Sequence, residues 1–74
     1  MKHFITSDPE ILGGQPCIAG TRIPVSRILY LLKEGYTVDA IHDQYDWVSV
    51  KTLNSAIDEA IQIVNQTLHA KKVL

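Results

Sequence analysis

A chain of 74 residues, 46% hydrophobic and 20% charged, has the composition of a globular domain and the length for one core, leaving no room for a second. Its formal net charge of −1 lacks the strongly basic balance that by itself announces a nucleic-acid binder, although a few Lys and Arg turned toward phosphates would suffice. Cys17 is the sole cysteine, which excludes an internal disulfide; with no apolar leader after Met1-Lys2-His3-Phe4 and no apolar run of ~20 residues, the expectation is a cytoplasmic protein without a membrane role. A domain this small buries only about 60% of the surface its unfolded chain exposes, so a homodimer is expected.

Residues 1–24 carry Pro9, Pro16 and Pro24 and three of the four glycines, and so read as an extended, turn-rich arm. Phe4-Ile5-Thr6 suits a short strand, Ser7-Asp8-Pro9-Glu10 a turn, and Gly13-Gly14 a tight reversal. Cys17-Ile18 and Thr21-Arg22-Ile23 flank Ala19-Gly20, which suggests a small hairpin.

From Val25 the period becomes helical. Val25, Ile28, Leu29 and Leu32 form one stripe, Pro24 stands near the first turn, and Gly35 ends the helix. Leu31 falls on the side away from that stripe. Thr37 caps a second helix over about residues 38–45, with Val38, Ile41 and Tyr45 on one face. After Asp46-Trp47-Val48, Ser49 caps a third helix in which Val50, Leu53, Ile57, Ala60, Ile61, Val64 and Leu68 recur at steps of three and four. The spacing therefore predicts one domain over 1–74, a 25–70 trihelical unit behind its arm, whose last two helices have the proportions of a helix-turn-helix.

If Val50, Leu53 and Ile57 face inward, Lys51, Thr52, Asn54, Ser55 and Asp58 face outward. Lys reaches guanine or phosphate, Asn pairs with adenine, and Thr or Ser reaches phosphate oxygens, so Lys51, Thr52, Asn54 and Ser55 are the candidate DNA readers, with Arg27 and Lys33 as phosphate contacts. Lys71-Lys72 could add to these, whereas Asp58 and Glu59 would repel the duplex. A polar outer face is also the default of any soluble helix, and that reading stands beside the DNA one.

Other features have plainer readings. Gly13-Gly14 lacks the Lys-Ser or Lys-Thr of a phosphate loop and is a backbone turn. Arg22, after Gly20-Thr21, could bind an external carboxylate or phosphate, and could equally tie the arm internally to Asp8 or Glu10. His3, His42 and His69 fall in three separate elements and read as surface residues, so neither a metal nor a cofactor is expected. Cys17 reads as buried and inert, and no nucleophile has a base and an oxyanion pocket beside it, so an enzyme is not expected. Trp47 is a core plug or an interface anchor, and Leu31 and Ile63 widen the apolar surface beyond one face, which makes all three interface candidates.

The run Thr6-Ser7-Asp8-Pro9-Glu10-Ile11-Leu12-Gly13-Gly14 with Pro16, then Gly20-Thr21-Arg22-Ile23-Pro24-Val25, then a helix ending in Gly and two further helices, resembles the family catalogued as domain of unknown function 433, from about Thr6 to Ala60. The resemblance implies a homeodomain-like helix-turn-helix and an antitoxin role in a prokaryotic toxin–antitoxin pair, with a cognate PIN-like nuclease toxin as partner and operator DNA as a further ligand. It also keeps Asp8 and Arg22 together, which fits an internal bridge. The chain departs from the family pattern at Tyr45-Asp46, where Tyr-Pro is usual, and at Lys51-Thr52, where acids usually open the third helix; the second change makes that helix start less repulsive to phosphate. The resulting expectation is a dimeric, antitoxin-like regulator that binds a toxin and operator DNA, and the rival is a protein-only interaction module.

Overall fold

The computed structural model describes the backbone of residues 3–71 and the side chains of residues 3–67. In chain order it runs β1 (Ile5–Thr6), a 3-10 turn at Leu12–Gly14, β2 (Cys17–Ile18), α1 (Val25–Lys33), α2 (Val38–Gln44) and α3 (Val50–Lys71). The mainly helical class, with three helices and a two-stranded arm, is the one the periodicity predicts. None of its helices, among the described residues, is long and apolar enough to cross a membrane.

The hairpin has a different partner from the expected one. Cys17–Ile18 pairs antiparallel with Ile5–Thr6, Ile5 opposite Ile18 and Thr6 opposite Cys17. The segment Thr21–Ile23 does not form the second strand, because the Thr21 hydroxyl donates to the Ile18 carbonyl at 2.8 Å and accepts the Ile23 N–H at 3.0 Å, curling the chain into a turn. Pro24, having no N–H, cannot extend a ladder beyond it. A single bridge between Cys17 and Pro24 and the bond from Ile18 N–H to the Ile23 carbonyl are what remain of that pairing. The reversal between β1 and β2 is left-handed: Leu12, Gly13 and Gly14 have φ of 51°, 66° and 89°, a run that glycine tolerates and leucine does not favour.

Both helix caps that the sequence announces around α1 and α2 are present. Gly35, at φ 99°, closes α1: its N–H donates to the Leu32 carbonyl while the Tyr36 N–H donates to the Leu31 carbonyl, both at 3.0 Å. This pair of bonds satisfies carbonyls left over at the helix end. Thr37 accepts the Ala40 N–H at 3.1 Å at the start of α2.

One core gathers Ile18 and Ile23 from the arm, Val25, Ile28 and Leu31 from α1, Ile41 from α2, Val48 from the connecting turn, and Leu53 and Ala56 from α3. Leu31 is therefore a core residue, 4% exposed, and is not an interface candidate, whereas Leu29 is 41% exposed. The stripe is rotated from its expected position because α1 packs against both α2 and α3; its inner face centres on Ile28 and Leu31, and Leu29, a 100° step beyond Ile28, falls outside. Along α3 the core ends early. Leu53 and Ala56 are buried, Val50, Ile57 and Ala60 half-buried, and every residue from 61 to 67 is exposed, Ile61 and Val64 included. Leu68, the last member of the predicted stripe, lies outside the described side chains.

Leu53→Ala removes a fully buried side chain at the junction of the helices and should lower stability by about 2–5 kcal/mol, much of what a domain this small possesses. Gly35→Ala should cost about 1 kcal/mol through its left-handed φ alone. Urea denaturation monitored by circular dichroism reads both.

Candidate functional site

Three surfaces carry chemistry, and the first is the start of α3. Ser49 caps it as expected: its Oγ accepts the Thr52 N–H at 3.1 Å and donates to the Thr52 hydroxyl at 3.0 Å. Thr52 is half-buried and its hydroxyl is engaged in that cap, while Ser55 is half-buried farther along. Lys51 and Asn54 stand fully outward, so of the four candidate readers these two are free to approach a ligand. Arg27 and Lys33 are exposed on α1, a different element. The charge around Lys51 is unfavourable for a duplex: over residues 38–58 four exposed carboxylates (Asp39, Asp43, Asp46 and Asp58) stand against that one lysine. The Lys71 side chain and Lys72 lie outside the described residues.

The second surface is a cleft of about 540 Å³ in the arm, where the β1–β2 pairing brings Ser7-Asp8-Pro9 against Gly20-Thr21-Arg22. Its polar groups are largely occupied in shaping it. Asp8 accepts the Glu10 N–H at 2.9 Å, the Ser7 hydroxyl donates to the Gly14 carbonyl, and Thr21 is spent in its own turn. A Cβ on Gly14 would sit 3.8 Å from Pro9 Cα, so the two limbs of the reversal lie in contact there. The expected bridge from Arg22 to Asp8 or Glu10 is not formed; Arg22 is exposed and makes no ion pair among the described residues. The arm is ordered by backbone and hydroxyl bonds instead, which leaves the guanidinium outward at the rim of the cleft.

The third is an apolar groove of about 370 Å³ between arm, α1 and α3, floored by Ile5, Pro16, Val25, Leu29, Ala60, Ile63 and Val64. Ile63 is 48% exposed on one wall, as expected of an interface candidate. Trp47 is also exposed, at 67%, its ring edge-on to Tyr45 with centroids 5.6 Å apart; the plug of that turn is Val48.

Two residues have roles the sequence does not announce. Glu59, expected among the groups that repel DNA, turns toward the arm: its Oε1 accepts the Phe4 N–H at 2.9 Å and its Oε2 lies 3.6 Å from His3 Nδ1. His42, expected on the surface, is half-buried and bonds through Nδ1 to the Val48 carbonyl at 2.7 Å, closing the α2–α3 turn. A contact spanning 55 residues leaves no local signal, whereas the six-residue step from His42 to Val48 across a predicted turn was within reach of inference. Cys17 is buried, as expected, with its Sγ 3.4 Å from the Gln15 carbonyl.

Glu59→Ala should detach the arm from α3, costing about 1.5–3 kcal/mol for a hydrogen bond to a charged acceptor. Amide exchange at Phe4 and Ala19, whose N–H donates to the Phe4 carbonyl, should accelerate, while Glu59→Gln keeps a carbonyl acceptor and preserves most of the protection.

A protein of Sinorhizobium fredii (strain NBRC 101917 / NGR234), the uncharacterized protein y4eO, is 29% identical over 55 residues; the match takes in 74% of this chain but 25% of that protein, so this chain spans about a quarter of its relative. The crystal structure of a DUF433 member protein from Anabaena variabilis superposes with a TM-score of 0.75 at 26% identity, covering 88% of this chain and 64% of that one. The family model described as protein of unknown function (DUF433) matches residues 5–60, which include the whole arm cleft, α1, α2 and the packed half of α3. The chain belongs to the DUF433 family.

Proposed function

We propose that this chain is a regulatory binding protein of the antitoxin type, which captures a partner protein in the apolar groove between arm, α1 and α3. The observation that carries the reading is the groove itself, whose lining is predominantly apolar and whose walls, Leu29 and Ile63, are large aliphatic side chains left in water. Exposed apolar surface in one concavity marks a protein-binding site more readily than a site for a charged polymer. On this reading the partner is a PIN-like nuclease toxin, the class that the motif resemblance implies, held inactive by the complex. Activity lies with that partner, and this chain acts by occupancy rather than by turnover.

Operator DNA is the second reading, favoured by Lys51 and Asn54 standing outward on the first two turns of α3. The exposed carboxylates of Asp39, Asp43, Asp46 and Asp58 oppose it, since each adds repulsion toward the phosphates. Protein capture is therefore the primary activity, with any DNA contact resting on few charges.

Co-expression with the product of the gene that adjoins its own tests the first reading. The two products should co-purify, and Ile63→Asp should abolish co-purification while Lys51→Ala leaves it intact; a neighbouring product that never co-purifies removes the proposal. For the second reading, fluorescence anisotropy with the duplex upstream of the gene should show affinity falling between low and moderate salt, and Lys51→Ala should lower the salt slope by about one. Binding that ignores salt, or no binding, leaves protein capture alone.

A further inference from the structure

We propose that the turn between α2 and α3 docks an arginine-bearing segment of another protein, with Trp47 as the surface on which the guanidinium stacks. The chain's sole tryptophan is 67% exposed, although tryptophan is a large apolar ring that is highly buried on average. Packing does not require it at this position, because buried Val48 is the residue that joins the core from this turn. The ring meets Tyr45 with the two planes 82° apart, a contact that occupies at most one of its faces.

The turn fixes where this ring stands. The Val48 N–H donates to the Tyr45 carbonyl at 3.0 Å, and His42 Nδ1 donates to the Val48 carbonyl at 2.7 Å, so the backbone is tied on either side of Asp46-Trp47. A pre-ordered aromatic loses little freedom when a partner covers it, and buried tryptophans of this kind carry much of the energy of protein interfaces.

Charge identifies the group that fits. Asp39 and Asp43 lie one turn apart on the face of α2 opposite buried Ile41, Asp46 adjoins Trp47, and all three are exposed. Between Lys33 and Lys51 the sequence has no lysine or arginine, and among the described residues these carboxylates make no ion pair. Nucleic acid would be repelled by them. They do not converge either: among the described residues no three His, Cys, Asp or Glu side chains could hold a metal ion. An aromatic face beside spread carboxylates suits arginine above lysine, because the planar guanidinium stacks on the ring while its N–H edge bonds a carboxylate. The site shares no residue with the apolar groove, so the inference goes beyond partner capture there and does not depend on it.

The emission of Trp47, as the only tryptophan, reads occupancy directly in the purified chain. Titration with the peptide acetyl-Gly-Arg-Gly-Arg-Gly-amide should change that emission saturably, the lysine counterpart should bind more weakly, and the glutamate counterpart should have no effect. With the arginine peptide fluorescein-labelled and followed by anisotropy, Trp47→Ala should weaken binding about fivefold. Asp43→Asn combined with Asp46→Asn should also weaken it about fivefold, whereas Glu10→Gln, at an exposed carboxylate of the arm, should leave it unchanged. All four positions are exposed, so circular dichroism should show the same helical content in every variant. No saturable change, equal affinity for the lysine or glutamate peptide, binding indifferent to Trp47→Ala or to the paired aspartate change, or an equal loss in Glu10→Gln overturns the proposal.

Discussion

Leu53 and Ala56 are where the fold converges. Both lie on the one stretch of α3 that meets α1, α2 and, through β1, the arm, and burying them fixes how far along α3 the small body extends. The helix itself runs 22 residues, about 33 Å, and its side chains at 61–67, beyond Ala60, are all exposed. The mismatch is geometric: a 9-residue α1 and a 7-residue α2 cannot cover a helix twice as long as either. The packed half builds the core and positions the arm through Glu59. Beyond it, Ile61, Ile63 and Val64 are left in water.

How much of this was legible depended on the range of the interaction responsible. Local devices were readable residue by residue: Thr37 and Ser49 as caps, Gly35 as the terminator of α1, Gly13-Gly14 as a reversal, because each acts within four residues of itself. The orientation of α1 was not. Periodicity gives a helix with an apolar stripe but leaves the angle of that stripe to the neighbours, and with leucines at 29, 31 and 32 the choice between Leu29 and Leu31 fell to packing against two helices at once. The strand partner of Cys17–Ile18 was missed for a related reason. Adjacent Thr21–Ile23 has strand-forming residues, but the Thr21 hydroxyl curls that segment, and the true partner lies across a loop of ten residues. For the candidate site, the outward Lys51 and Asn54 were legible from helix phase, whereas the turn of Glu59 toward Phe4 and the open rim at Arg22 were tertiary facts.

The surfaces also differ in what they could hold. The α2–α3 side is acidic apart from Lys51, the arm cleft is polar and largely satisfied by its own turns, and the apolar area is concentrated on the flank formed by α1, the arm and the second half of α3.

Burial of Leu53 and Ala56 ties the first half of α3 to the body, whereas residues 61–67 are all exposed beyond it. Amide hydrogen exchange along α3 of the purified chain tests this division most directly. Strong protection over residues 53–60, falling toward unstructured-peptide rates over residues 61–67, is the expected result. Equal protection along both stretches would contradict it.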